Sequence, residues 1–290
     1  MIIYQAMAKQ FLLIFSCKDT YGIIGHVSSF LSDNQAFIRE LSEFGDPHTG
    51  KFFMRCLFEF PQAIPELMIL SKKFASIAAR FDAEWKFLDA SLKPKTLILV
   101  SKLGHCLNDL LYRQHAQSLN IDIAAILSNH TTQEKLATFY NVPFTHFPVS
   151  SENKAAQEEA ILAFIEENQI ELVILARYMQ ILSPSFTAKL AGKIINIHHS
   201  FLPSFKGAKP YHQAFDRGVK IIGATAHYVT QDLDEGPIIE QEVIRVDHTR
   251  SAEELVCIGH DIETQVLARA VKYHIENRIF LNGNKTVIFR

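Results

Sequence analysis

The stretch TLILVSKLGHCLNDLLYRQHAQSLNIDIAAIL, Thr96 to Leu127, decides the fold. Thr96 to Val100 is an almost unbroken apolar run, the pattern of a strand buried on both faces. Gly104 to Ala116 then carries apolar residues at helical spacing, and Ile121 to Leu127 is a second apolar run. Strand, helix and strand within about thirty residues make a parallel βαβ unit. Toward the C-terminus the rhythm continues. Glu158 to Glu167 reads as a helix, and Leu172 to Ala176, Lys193 to Ile197 and Gly223 to Thr230 read as strands. The expectation is an α/β domain with a Rossmann-like, mostly parallel sheet and helices on both faces. Ligands of such sheets collect beyond the carboxyl ends of the strands, and the chemistry is expected there.

Toward the N-terminus the order is different. Phe11 to Cys17 is a short apolar strand, followed by a turn at Lys18 to Gly22. Ile24, Val27, Phe30 and Leu31 recur at helical spacing. Phe37 to Leu41 and Lys51 to Leu57 flank a Gly- and Pro-containing connection, Leu67 to Ala78 is a second helix, and Trp85 to Leu88 closes the unit. This is βαββαβ, a ferredoxin-like arrangement. The polar, proline-bearing segment Ser91 to Lys95 reads as a linker. The expected domains are therefore 1–92 and 93–290. Asp19-Thr20-Tyr21-Gly22-Ile23-Ile24 resembles the first strand-to-helix turn of ACT domains. That resemblance implies a regulatory or oligomerisation module, with Asp19, Gly22 and Ile23 as effector-binding candidates for an amino acid, and a homo-oligomer.

Bulk composition narrows the partners. Lys plus Arg number 29 against 31 Asp plus Glu, a formal net charge of -2, so no basic excess exists to hold nucleic acid or an acidic membrane surface. The expected partner is a small molecule. Cys17, Cys56, Cys106 and Cys257 form no C-x-x-C pair and read as free thiols. The opening residues are apolar in two pieces broken by Gln5, Lys9 and Gln10, which suits neither a secretion signal nor a membrane helix. A soluble, cytoplasmic protein is expected.

The chemical signal is Asn196-Ile197-His198-His199-Ser200-Phe201-Leu202-Pro203-Ser204-Phe205-Lys206-Gly207. Alternation along a strand puts Asn196 and His198 on one face and, while the chain stays extended, His199 on the other. An amide can donate to a developing oxyanion while an imidazole moves a proton, a pairing suited to carbonyl chemistry. An N-x-H spacing alone is weak, and so are the acids of Gln231-Asp232-Leu233-Asp234-Glu235-Gly236-Pro237, which alone read as an exposed turn. Taken together, NIHHSFLPSFKGAKPY and GATAHYVTQDLDEGPII resemble the folate-dependent formyltransferase fold. With an ACT-like unit in front, the chain resembles the formyltetrahydrofolate deformylase family over essentially its whole length. The resemblance implies hydrolysis of 10-formyltetrahydrofolate to formate and tetrahydrofolate, with no cofactor beyond the folate substrate. It places the catalytic residues on Asn196, His198 and Asp234, with His227 orienting or packing beside them.

Further substrate-binding candidates come from the same resemblance. Arg177-Tyr178-Met179-Gln180-Ile181-Leu182 resembles the segment lining the pterin pocket, giving Arg177, Met179, Gln180, Ile181 and Leu182. Plain core is the competing reading for Met179, Ile181 and Leu182. Lys206 and Gly207 are expected to close over the substrate. Ser101 to Asn108 stands where glycinamide ribonucleotide transferases carry a glycine-rich phosphate loop. Here only Gly104 remains, and His105, Cys106 and Leu107 fill the loop, which speaks against a phosphorylated acceptor. Cys106, at a helix start, is a weaker nucleophile candidate than a direct water route. The 13 histidines show no metal-ligand spacing, and no G-x-G-x-x-G loop supports a dehydrogenase. Two other readings remain: a formyltransferase to an amine, and a folate or amino-acid sensor without turnover.

Overall fold

The computed structural model describes residues 9–61, 66–203 and 210–290. Contacts divide the chain at Leu92/Lys93 into two compact units. The first contains β1 (Gln10–Lys18), α1 (Ile23–Asp33), β2 (Phe37–Asp46), β3 (Lys51–Glu59), α2 (Leu67–Arg80) and β4 (Glu84–Asp89). Its four strands run in the order β2-β3-β1-β4, with every pairing antiparallel, the ferredoxin-like topology expected from βαββαβ. Residues of β1 alternate: Leu13 and Phe15 join Ile23, Val27, Leu31, Leu70 and Phe74 from the helices in one apolar cluster. Phe74 sits at its centre, meeting Phe30, Trp85 and Phe87 edge-on at 4.9–5.3 Å. Such pairs add about 0.5–1.5 kcal/mol each beyond the area they bury.

The second unit holds β5 (Lys95–Val100), α3 (His105–His115), β6 (Asp122–Ser128), α4 (Glu134–Phe139), β7 (Phe144–His146), α5 (Lys154–Glu167) and β8 (Leu172–Leu175). It continues through α6 (Pro184–Lys189), β9 (Ile194–His198), α7 (Pro210–Asp216), β10 (Ile221–Tyr228), β11 (Ile238–Arg245) and α8 (Ala252–Ile275). Seven strands form one sheet, β11-β10-β9-β8-β5-β6-β7. The five strands from β9 to β7 are mutually parallel, whereas β10 pairs antiparallel with both β9 and β11. The sheet is thus mostly parallel, with an antiparallel edge that strand rhythm alone did not reveal. On one face Leu97, Leu99, Val173, Leu175 and Ile194 pack against Ile161 and Ile165 of α5 and Phe186 of α6. The 24-residue helix α8 packs on β9, β10 and β11 and against α3.

The expected second domain ran to Arg290. Contacts instead group residues 276–283 and 287–290 with the first unit. The reason lies in the tail itself: Arg278 pairs with Glu40 at 3.1 Å, Phe280 packs on Phe53 at 5.6 Å, and Asn282 donates to Asp46 at 2.6 Å. β12 (Ile279–Asn282) and β13 (Lys285–Ile288) pair as a separate two-stranded ribbon. Among the described residues, no helix is long and apolar enough to cross a membrane.

Candidate active site

Asn196 and His198 stand at the carboxyl end of β9, as strand position requires. The neighbour on one side is β10, whose register sets His227 opposite Asn196 and Thr225 opposite His198. Cross-strand partners share a face, and Asn196 Nδ2 donates to His227 Nε2 at 3.2 Å. The other ring nitrogen, Nδ1, donates to the Tyr228 carbonyl at 2.9 Å, which leaves Nε2 as the acceptor. Burial first, opposed by that carbonyl bond and the Asp234 charge, holds His227 below its ordinary pKa, so it serves as a neutral ring fixing the asparagine.

Asp234 reaches the same point from the loop after β10. Its backbone is in the left-handed region at φ 57°. The loop folds back so closely that a Cβ at Gly236 would lie 1.7 Å from the Tyr228 carbonyl oxygen, so only glycine fits. Asp234 Oδ2 then lies 3.3 Å from His198 Nδ1, and Oδ1 lies 3.7 Å from His227 Nε2. Burial pushes the carboxyl up, but the His198 hydrogen bond and the neighbouring imidazoles outweigh it and hold Asp234 below the usual range, ionised. His198 is buried, and its Nε2 has no hydrogen-bond partner among the described residues. A carboxylate, an imidazole with one free nitrogen and an oriented amide form a set able to move a proton and hold an oxyanion.

Two residues that sequence reasoning missed shape the turn after His198. The buried Thr225 hydroxyl donates to the Ser200 carbonyl and accepts from Leu202 N, both at 3.0 Å. Gln241 donates to Thr225 Oγ1 at 3.0 Å and to the Leu202 carbonyl at 3.1 Å. A threonine at the strand position opposite His198 was the available signal. Because β9 ends at His198 and the chain bends, His199 does not continue the alternation. The expectation that the two rings lie on opposite faces is corrected: their centroids are 5.2 Å apart. His199 is pushed down to about 4 by burial, then by the charges of Arg177 and His198.

A second polar group lies at the ends of β5 and β8. Glu263 of α8 is fully buried, accepting from Tyr211 at 2.8 Å and from His105 Nε2 at 2.7 Å, with Arg177 Nε 3.4 Å away. Burial pushes its carboxyl up, and the His105 hydrogen bond and the Arg177 charge overcome that and keep it low. His105 stacks on His260 at 4.0 Å. Tyr211 fits because position 259 is glycine, where a Cβ would fall 2.1 Å from the tyrosine ring. Glu263 was not anticipated. Its signal was a lone carboxylate on the apolar stripe of Ile262, Val266 and Leu267.

This group corrects several expectations. Cys106 and Leu107 are fully enclosed, so they offer no surface to a substrate. Burial, then the Glu263 charge, drives the Cys106 thiol well above its ordinary pKa, which removes it as a nucleophile. His105 is committed to Glu263. Although His105, Cys106 and Glu263 bring their donor atoms within 4.8 Å of one another, the set does not suit a cation. Glu263 already accepts from His105 and Tyr211, and Arg177 already supplies positive charge beside it. Arg177 itself is buried at φ 64°, a backbone region that costs a non-glycine residue about 1 kcal/mol.

The rest of the expected pocket segment behaves otherwise. Met179 and Ile181 are 56% and 60% exposed, so neither is core, while Gln180 and Leu182 are half-buried. The loop is pinned at both ends: Met179 N donates to Ser101 Oγ at 2.9 Å, and Ser183 N donates to the buried Glu158 at 3.0 Å. A braced loop presenting apolar side chains can cover a flat ring system. Lys206 and Gly207 lie outside the described residues. In the first unit, Ile23 is buried in the core and cannot touch an effector, while Asp19 is exposed and crowds Gly45. Gly22 remains at the start of α1, beside a groove.

Comparison with known proteins adds to this geometry. The family model for formyl transferase matches residues 94–271. A formyltetrahydrofolate deformylase from Corynebacterium sp. (strain P-1) is 48% identical over 278 residues, covering 96% of this chain and 97% of that protein. The crystal structure of the Burkholderia mallei formyltetrahydrofolate deformylase aligns with a TM-score of 0.92 at 51% identity, over 97% of this chain and 100% of the other. That of the Pseudomonas syringae formyltetrahydrofolate deformylase aligns at 0.95 and 42%, over 99% and 96%.

Proposed function

The chain belongs to the formyl transferase family and, within it, to the formyltetrahydrofolate deformylases, and from that premise we propose that Asn196, His198 and Asp234 carry its catalysis. The enzyme hydrolyses 10-formyltetrahydrofolate to formate and tetrahydrofolate. Water attacks the formyl carbon, a C–O bond forms and the bond to N10 breaks. Asp234, acting with His198, takes a proton from the water. Asn196, oriented by His227, donates to the oxyanion together with protonated His198. The proton taken from the water passes by way of His198 to N10. The water's second proton is lost to solvent, so that Asp234 is again ionised, and formate departs as the anion. The arrangement of Asp234, His198 and Asn196 at the sheet's carboxyl edge carries this reading, with His198 Nε2 left for the reacting atoms.

The test mixes the purified protein with 10-formyltetrahydrofolate and no amine, then follows formate and tetrahydrofolate together. Equal release that disappears in Asp234→Ala is the expected result. Release that persists in that variant would remove Asp234 from the mechanism, and no release without an added amine would favour the transferase.

The first unit supports a narrower part of the proposal, an ACT-type module for a small amino-acid effector and self-association. A groove of about 510 Å³ lined by Gly22, Gly25, His26, Ser29, Asp33 and Asn34 supports it, in place of a site built on Ile23. Calorimetry with glycine and methionine tests it, and absence of both heat and rate change would remove it. Three buried free cysteines support a reducing, cytoplasmic setting.

A further inference from the structure

Buried arginines ordinarily have their donors filled. Arg177 departs from that rule. Its side chain is 8% exposed, and neither Nε nor Nη1 has a hydrogen-bond partner among the described residues. Glu263 balances its charge from 3.4 Å without filling those donors, because that carboxylate is already aligned on His105 and Tyr211. The guanidinium is therefore neutralised in charge and unsatisfied in hydrogen bonding.

Its placement ties it to the chemistry. β8 and β9 are parallel with Leu175 opposite Asn196. Arg177 follows β8 by two residues, and His198 is the last residue of β9, two beyond Asn196. His199 feels the charges of Arg177, Glu263, His198 and Asp234 together, so the two polar groups share one electrostatic neighbourhood.

Hydrolysis and transfer differ in what they leave behind. Passing a formyl group to an amine gives a neutral amide, whereas passing it to water gives a carboxylate, formed close to the ionised Asp234. Two like charges at close range repel. We propose that Arg177 is the product site of this enzyme: its unfilled N–H groups take the carboxylate of formate and draw it away from Asp234 before release. With Glu263 on the Nε side, the open end of the fork is Nη1 with Nη2, two parallel donors that match a carboxylate, which a lysine could not present. Glu263 is the positioning residue that holds the fork. The inference rests on the hydrolase reading, since only hydrolysis makes this anion.

The experiment titrates ¹³C-formate into the full-length protein and follows its line width, with chloride as control. The wild type broadens the line saturably. Arg177→Met combined with Glu263→Gln removes both charges at once, leaving no lone buried ion, and weakens formate binding roughly tenfold or more. Arg177→Lys, which keeps the charge and loses the fork, also weakens it and serves if the double variant does not fold. Asp234→Asn, expected to be inactive, binds formate at least as tightly as the wild type because the repelling carboxylate has gone. Unchanged binding in the Arg177 variants, or weaker binding in Asp234→Asn, overturns the inference. A wild type that binds formate through Arg177 but releases none from 10-formyltetrahydrofolate would sink the hydrolase reading instead, so the two failures are distinct.

Discussion

Two groups of polar side chains meet at the carboxyl edge of the larger sheet, and they are built differently. Around Asp234 the contacts between side chains run from 3.2 to 3.7 Å, and His198 keeps a nitrogen unfilled. Around Glu263 the bonds are 2.7 and 2.8 Å, and the carboxylate is wholly out of water. Short, filled bonds hold a structure together. Longer bonds and open valences reserve hydrogen-bonding capacity for a reacting molecule. The first group should consequently be costly to lose for chemistry and cheap for folding, and the second the reverse, with Arg177 as the member that crosses between them.

The sharpest test of that division is Asp234→Ala beside Asn196→Ala. Loss of acid–base help or of one oxyanion donor lowers turnover roughly 10²–10⁴-fold. Chemical denaturation should place both variants within about 1 kcal/mol of the parent. A variant that unfolds would show that the loose group also holds the sheet edge together. Glu263→Ala is the counterpart. It strands Arg177 as a buried, unbalanced charge and should lower the unfolding free energy by about 3–5 kcal/mol. Glu263→Gln can keep the His105 and Tyr211 contacts but removes the same countercharge, so it should lose nearly as much. A loss close to zero in that variant would refute the ionic account.

How far the sequence reveals these groups depends on how local their partners are. Period-two alternation in β9 exposes Asn196 and His198, and the βαββαβ order exposes the first sheet. Asp234 needed resemblance as well, because an acidic turn ending in Gly236-Pro237 looks like any solvated loop. Glu263 meets His105 across 158 positions of chain, and no window of periodicity spans that distance. The enclosure of Cys106 and the return of the tail to the first unit are likewise products of tertiary packing. His199 was misplaced for a different reason: the alternation rule ends where the strand ends.

His199 gives a smaller, pH-dependent test of how closely the groups are joined. Its folded pKa is about 4, against 6.5 ordinarily. Below about 6.5 the unfolded chain binds a proton that the folded protein does not accept until about 4, so acid favours unfolding across that window. Denaturation at pH 7 and pH 5 should show the parent losing of order 1–2 kcal/mol more than His199→Gln. Equal losses would mean that His199 is neither buried nor wedged among the charges of Arg177 and His198.

The smallest effect is expected from alkylation. Cys106 belongs to the tight group: it is fully enclosed, and its thiol is held far above its ordinary pKa. Cys257, on α8, is exposed. A thiolate reacts only where it can form and be reached, so iodoacetamide at neutral pH should modify Cys257 and spare Cys106. Turnover should persist in the labelled protein, because Cys257 touches neither group in the contacts described. Peptide mapping identifies the labelled position, and the formate assay reads the activity. Label on Cys106 with loss of turnover would mean that the tight group opens in solution, and the distinction between a holding cluster and a reacting one would then collapse.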